Sequence, residues 1–239
     1  MIKVTVWNEF LHERKGEVVK KVYPEGIHAQ IKSFLDTEED ITVRTATLDE
    51  PECGLTEEVL NDTDVLIWWA HMAHEKVPDE IARRVADRVL MGMGMIFLHS
   101  AHYSKPMKIL LGTTCSLAWR DGSRERLWCT APTHPIAQGL PLYIDIEREE
   151  MYGEFFDVPK PDDVVFTGWY NTGEVFRSVI TYVRGHGKIV YIQPGHETNP
   201  IYYNPYIQKI IKNAVRFAAP CENLRDTLEC SNEPAPLEK

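Results

Sequence analysis

The chain has 239 residues, 44% of them hydrophobic with six tryptophans, and a formal net charge of −10. That length and composition describe a globular chain with a sizeable core, in one large domain or two small ones. The acidic balance disfavours nucleic acid and anionic membrane. No run approaches the ~18 apolar residues of a membrane-spanning helix, and Met1-Ile-Lys-Val-Thr-Val is no signal sequence, so a cytoplasmic location is expected.

The first strand is Ile2–Trp7, running into polar Asn8-Glu9 and a long segment to Pro24. Pro24-Glu-Gly26 opens a helix, His28–Leu35, and the alternating, β-branched Ile41–Thr47 is a second strand. Thr56 is placed to cap a short helix from Glu57. Val65–Trp69 is an uninterrupted apolar strand. From Pro78 to Leu90, acids fill the first turn while Ile81, Val85 and Val89 recur at spacing four, an amphipathic helix stopped at Gly92-Met-Gly94. Met95–Leu98 is the next strand and Lys105–Leu111 the next helix. From Gly112 to about Gly187 the pattern changes to short β-type runs (126–130, 143–146, 164–166, 178–182) between Gly and Pro turns. We read this as an antiparallel insertion or cap. The sheet resumes at Ile189–Ile192, Pro205–Phe217 is the closing helix, and Cys221–Lys239 is a polar tail. The β-α-β order predicts an α/β fold, a flavodoxin-like parallel sheet flanked by helices. One domain is expected over 1–220, with a β-rich insertion at about 112–187 forming one wall of the pocket and a tail at 221–239.

Ligands of such sheets bind outside the carboxyl ends of the strands. Five of the nine histidines stand there. Val65–Trp69 leads to His71 and His74, Met95–Leu98 to His99 and His102, and Ile189–Ile192 to Gln-Pro-Gly195-His196-Glu197. On a helical turn, each H-x-x-H pair would present both imidazoles to one centre. His71, His74 and His102, with a carboxylate from Glu9, Glu150 or Glu197, could hold a divalent transition metal such as zinc. Alternatively the histidines only hydrogen-bond locally and fasten the strand ends. His99, His102, His196 and Glu150 are the catalytic candidates, because imidazole and a desolvated carboxyl exchange protons near neutral pH. Gly195 would permit the turn that throws His196 over the strand ends. If Glu149–Glu154 is extended, Glu150, Tyr152 and Glu154 share a face; a solvated charge run is the bland reading. Trp69, Tyr103, Tyr152, Asn8 and Glu197 are candidates for binding substrate. The aromatics suit the apolar C–H faces of a sugar, although core packing explains them too. Arg177 is a further polar candidate.

Several chemistries are disfavoured. The five cysteines lack any C-x-x-C pair, so free thiols are expected. Trp7-Asn8-Glu9-Phe10 replaces the glycine-rich loop of nucleotide folds, so nicotinamide and ATP are not expected and redox chemistry would fall to a partner. Arg120, Arg124 and Arg126 make a candidate basic patch, interleaved with Asp121 and Glu125. Ser100 lacks the G-x-S-x-G glycines of a hydrolase nucleophile.

Gly94-Met-Ile-Phe-Leu-His-Ser-Ala-His-Tyr-Ser-Lys-Pro106, Thr133-His-Pro-Ile-Ala-Gln-Gly139, Glu149–Glu154, Gly173–Ser178 and Pro194-Gly-His-Glu197 follow in an order that resembles the trehalose-utilisation (ThuA-like) family. The resemblance implies the class I glutamine-amidotransferase-like fold, and a role in using trehalose and similar disaccharides alongside a sugar dehydrogenase. It does not extend to glutamine hydrolysis, because His99-Ser-Ala-His102 stands where those enzymes carry a cysteine. The expectation is an enzyme acting on a disaccharide or 3-keto sugar by acid–base chemistry, with or without a metal. The alternatives are a non-catalytic sugar-binding accessory subunit of a dehydrogenase system and an amidase using Ser100. No residue argues for a homo-oligomer.

Overall fold

The computed structural model describes residues 1–221 together with 235, 236 and 238. The remainder of the expected tail, including Cys230, lies outside the described residues. The strands are β1 (Ile2–Asn8), β2 (Ile41–Thr47), β3 (Val65–Trp69), β4 (Gly94–Leu98), β5 (Ala118–Cys129), β6 (Tyr143–Gly153), β7 (Asp163–Tyr170), β8 (Val175–Arg184) and β9 (Gly187–Ile192). The helices are α1 (His12–Lys15), α2 (Glu17–Val22), α3 (Ile27–Leu35), α4 (Glu57–Asn61), α5 (Asp79–Leu90), α6 (Lys105–Leu111) and α7 (Pro205–Ala218).

All nine strands belong to one sheet, in the order β2-β1-β3-β4-β9-β8-β7-β5-β6. The first five in that order are parallel, and from β9 outward every pairing is antiparallel. The β-rich region is therefore not a separate cap layer. Its strands prolong the main sheet, because β8 pairs with β9 from Val179↔Ile192 to Arg184↔Gly187.

The period-two alternation of a strand sorts side chains into two cores. Leu66 and Trp68 of β3 join Trp7, Phe97, α5 and α6 on one face; Val65, Ile67 and Trp69 join Val4, Ile96, α3 and α7 on the other. Trp68 stacks on Trp7 at 3.9 Å between ring centroids. Helices on both faces explain why the parallel strands read as unbroken apolar runs. Local signals held where the backbone needed them. Thr56 Oγ1 accepts from Val59 N at 3.2 Å and Asn204 Oδ1 accepts from Tyr206 N at 2.9 Å, each capping a helix start. The long segment before Pro24, assigned no element from the sequence, folds into α1 and α2.

On the outer face of the antiparallel half, Arg124 and Arg126 both reach Asp145 at 2.8 Å. Their charge is met within the sheet, so they form no free basic patch. Cys53, Cys115, Cys129 and Cys221 are free thiols.

Candidate functional site

A cleft of about 800 Å³ opens over the carboxyl ends of the parallel strands. Four strand-end histidines, His71, His74, His102 and His196, line it together with His12 from α1, and the fully buried His99 touches the lining residues Glu150 and Tyr152 from beneath. The antiparallel half supplies Trp119, Asp121, Arg148, Glu150 and Tyr152.

His99 is at the centre. It begins a 3₁₀ turn, His99–Tyr103, directly after β4, with a left-handed φ of 51°. A non-glycine residue rarely adopts that conformation, and such strain concentrates at functional sites. The ring is fully buried. Its Nδ1 lies 2.8 Å from the Gln193 carbonyl and its Nε2 3.0 Å from Glu150 Oε2. Both partners are acceptors, so both ring nitrogens carry a proton and the ring is an imidazolium. Burial opposes that charge. The hydrogen bond to Glu150 and the charges of Glu149, Glu150 and Glu197 outweigh burial and hold the pKa at about 9. Burial likewise works to raise Glu150, but His99 overrides it and keeps the carboxyl below its ordinary range. The Tyr152 ring stacks on His99 at 4.9 Å, and its hydroxyl is 3.3 Å from Nε2.

The neighbouring imidazoles are wired differently. His102 Nδ1 faces the Cys115 carbonyl at 2.6 Å, which leaves the lone pair on Nε2. Burial and the His99 charge lower its pKa to about 4, so the ring is neutral. His196 accepts at Nδ1 from Thr198 N (3.2 Å), which leaves a donor at Nε2. That nitrogen sits 3.7 Å from Asp121 Oδ1, and burial lowers the pKa of the ring. Asp121, Glu150 and His196 bring ligand-type atoms within 4.8 Å of one another at the cleft wall.

Two buried carboxylates hold the turns that carry these rings. Glu149 accepts from Glu150 N (2.8 Å), His196 N (3.1 Å) and Gly195 N (3.1 Å). Burial pushes its pKa up to about 7. Glu9 accepts from Met72 N (2.9 Å) and Ala73 N (3.1 Å), fixing the loop after β3 that bears His71. Glu149 and Glu150 are thus neither solvated nor a charge run. As period two requires, they serve opposite faces, Glu149 under the backbone and Glu150 at the ring. Glu154 lies beyond the strand, paired with Arg177 at 2.7 Å. Behind Glu149, Glu125 is fully buried and raised well above its ordinary pKa by burial and by the Glu149 charge. Gly168 makes its room, because a Cβ there would lie 2.3 Å from Glu125 Oε1.

Several expected members are corrected. Trp69 does not line the cleft: it is fully buried in the α3–α7 core and donates Nε1–H to the Gly195 carbonyl at 3.2 Å. Asn8 is fully buried and bonded to Glu13 (2.6 Å) and His28 (3.0 Å). Gly195 has no left-handed φ. It is glycine because a Cβ would lie 2.3 Å from the Tyr202 hydroxyl and 2.9 Å from His99 Cβ. Ser100 Oγ donates to the Ala70 carbonyl at 2.7 Å and has no imidazole partner among the described residues. Tyr103 lines the cleft, with the Lys108 ammonium 3.1 Å from its ring centroid.

His71, His74 and His102 do not converge as a ligand set. His71 precedes the 3₁₀ turn that His74 begins, so the two do not share a turn. Besides Asp121, Glu150 and His196, the set that converges is His12, His71 and Glu197, whose ligand atoms lie within 4.8 Å of one another. His12 Nδ1 is 3.1 Å from Glu197 Oε1, and His71 Nδ1 is 3.5 Å from Oε2. His12 Nδ1, His71 Nδ1 and Glu197 Oε2 are buried without a well-formed hydrogen bond among the described residues. Burial works to raise Glu197, but His12, His71 and His196 hold it far below the carboxylate range. His12 stands four residues past the end of β1, the same strand-end position as the other histidines, a signal missed in the sequence.

No helix among the described residues is long and apolar enough to cross a membrane. The sequence profile of the ThuA family, described as trehalose utilisation, matches residues 3–218. No curated protein matches the chain. A ThuA-like protein from Parabacteroides merdae superposes with a TM-score of 0.67 at 16% identity, covering 91% of this chain and 89% of that one. A Salmonella typhimurium protein described as cytoplasmic gives 0.62 at 14%, covering 92% and 100%. PurLQS from Thermotoga maritima gives 0.53 at 12%, covering 90% and 98%. At these identities the likeness establishes the fold: a class I glutamine-amidotransferase-like, flavodoxin-like α/β sheet.

Proposed function

Because this chain belongs to the ThuA, or trehalose-utilisation, family, we propose that it is an enzyme acting on a disaccharide or its 3-keto derivative by acid–base chemistry. A general role in sugar utilisation comes with the family. The observation that carries the finer reading is the buried His99 imidazolium, 3.0 Å from Glu150 at the floor of the cleft. A carboxylate beside fixed positive charge and N–H donors is the equipment for enolisation.

In a 3-keto sugar the hydrogen on C2 is acidified by the adjacent carbonyl. Glu150 takes that proton, and the C–H electron pair moves into a C2–C3 double bond while the carbonyl oxygen becomes an enolate. The His196 Nε2–H donates to that oxygen, and the His99 charge stabilises it. Collapse of the enolate restores the carbonyl and expels the glycosidic oxygen from C1, which leaves a C1–C2 double bond. The proton on Glu150 then passes to the departing sugar. Neither a nucleophile nor a redox cofactor on this chain is needed, and a sugar dehydrogenase would supply the keto group.

The donor set His12, His71 and Glu197 fits a divalent transition metal, being two imidazoles and a carboxylate with unsatisfied buried ligand atoms. Bound there, the ion would supply Lewis acidity toward a sugar oxygen. We assign residues 1–220 to one domain and the protein to the cytoplasm, in keeping with the family and with the Salmonella neighbour.

The test is incubation with 3-keto-trehalose in D₂O, followed by NMR. Deuterium at C2 of the recovered keto-disaccharide, from enolate reprotonation, and release of the second sugar are expected, with both abolished by Glu150→Gln. Binding without exchange or release would make the protein a sugar-binding accessory subunit instead.

A further inference from the structure

We propose that Trp119 is the platform for the second ring of a two-ring sugar, which makes the outer half of the cleft a disaccharide-selecting subsite. The inference rests on the sugar reading above. Three observations place it. First, β5 and β6 pair Trp119 directly with Tyr152. Directly opposed residues of an antiparallel pair project from the same face, with Cβ atoms ~5 Å apart. Tyr152 is the residue stacked on His99, and Glu150 shares its face two residues away. Trp119 is therefore one cross-strand step from the acid–base group, about the offset between the linked rings of a disaccharide. The β5–β6 pairing slips between Arg120 and Ser123, and Gly122 has a φ of 74°. That irregularity turns the strand at the cleft mouth.

Second, Trp119 is 65% exposed, although its pairing partner Tyr152 is only 2% exposed. Trp128 and Trp169 are also exposed, but on the outer face. Trp128 packs against Tyr143 and lies under the Arg126 guanidinium, and Trp169 is paired in register with Arg126. Among the described residues, Trp119 is the only tryptophan that lines the cleft. No ring or cation covers it among the described residues, whereas Lys108 covers Tyr103. A large apolar face left open inside a cleft marks a binding surface.

Third, the cleft of about 800 Å³ exceeds what one sugar ring fills. Its outer wall combines Trp119 with Arg148 and Asp121. An aromatic face beside hydrogen-bonding groups is what a pyranose requires, since its C–H face is apolar and its rim is hydroxylated.

The experiment measures binding of trehalose, 3-keto-trehalose, glucose and 3-keto-glucose by calorimetry and saturation-transfer NMR. The proteins are the wild type, Trp119→Ala, Trp119→Phe and, as an outer-face control, Trp128→Ala. Wild type is expected to bind the two-ring sugars more tightly than the one-ring sugars. Trp119→Ala should weaken the two-ring sugars about tenfold while changing the one-ring sugars less than about twofold. Trp119→Phe should retain most of the preference and Trp128→Ala all of it. Equal two-ring affinity in wild type and Trp119→Ala overturns the subsite. One-ring sugars binding as tightly as two-ring sugars to wild type also overturns it but leaves the sugar reading standing. If wild type binds none of the four sugars, both readings fall.

Discussion

The two halves of the sheet divide the work of the site. The parallel half, β2-β1-β3-β4-β9, delivers imidazoles just beyond its strand ends. The antiparallel half delivers Glu150, Tyr152 and Trp119 from within paired strands. A side chain just past a parallel strand is aimed by its turn, so the turn must be fixed by something else. Glu9 and Glu149 do that by accepting backbone N–H groups at the His71 and His196 turns. A side chain within an antiparallel ladder is aimed by the ladder, as Tyr152 is by its pairing with Trp119, whereas Glu150 lies at the slip in that pairing and has its N–H held by Glu149 and its carbonyl by Gln193. The fastening of the histidine half comes partly from across the sheet, since Glu149 belongs to β6.

The largest effect should come from breaking the contact between the halves. Glu150→Gln is expected to lower kcat by roughly 10²–10⁴-fold with the fold retained. Steady-state keto-sugar turnover and circular dichroism check it, and an active variant would remove Glu150 from the chemistry.

The His99–Glu150 pair also predicts a pH limit. The folded pKa of His99 is about 9, above the ordinary 6.5. Its stabilising contribution is therefore complete below pH 6.5 and is lost as pH rises through 9. Above that point activity should fall about tenfold per pH unit, and the melting temperature should fall with it. A rate and a melting temperature both flat from pH 7 to 10 would contradict a charged His99.

Metal content probes the parallel half alone. Elemental analysis by mass spectrometry should find a near-stoichiometric transition metal, lost in His12→Ala and in His71→Ala and kept in His74→Ala. Retention in His12→Ala would show that the convergent set is not the ligand set.

Glu149→Gln tests the fastening. The new amide presents N–H to N–H either at Gly195 or at His196 and Glu150, and a cost of about 1–3 kcal/mol is expected from denaturant unfolding. The His196 ring signals should move in NMR spectra, whereas Glu149→Ala would confound this with a cavity. Unmoved His196 signals would make Glu149 a bystander. The smallest effect is at a distance from both halves: Thr56→Ala should cost about 1 kcal/mol through the lost cap and leave turnover unchanged.

Some of this was legible in the residues themselves. Unbroken apolar runs identified β3 and β4, because both faces of a parallel strand are covered. Ile81, Val85 and Val89 identified α5, and all three are buried. The placement of His71, His74, His99, His102 and His196 around one cleft followed from where strands end in an α/β sheet. Other matters depended on partners distant along the chain. Adjacent Trp68 and Trp69 read alike, yet which core receives each depends on register, and both are buried. Glu149 looked like part of a charged run until Gly195 and His196, 46 and 47 residues away, supplied its donors. His12 shares the strand-end position, four residues after β1, but that it meets Glu197 and His71 was decided only by the fold. The sequence by itself determined periodicity, and with it the strands, the helices and the end of the sheet where the cleft opens. Only the tertiary structure decided which polar groups are desolvated and which meet, because burial and convergence belong to residues brought together through space.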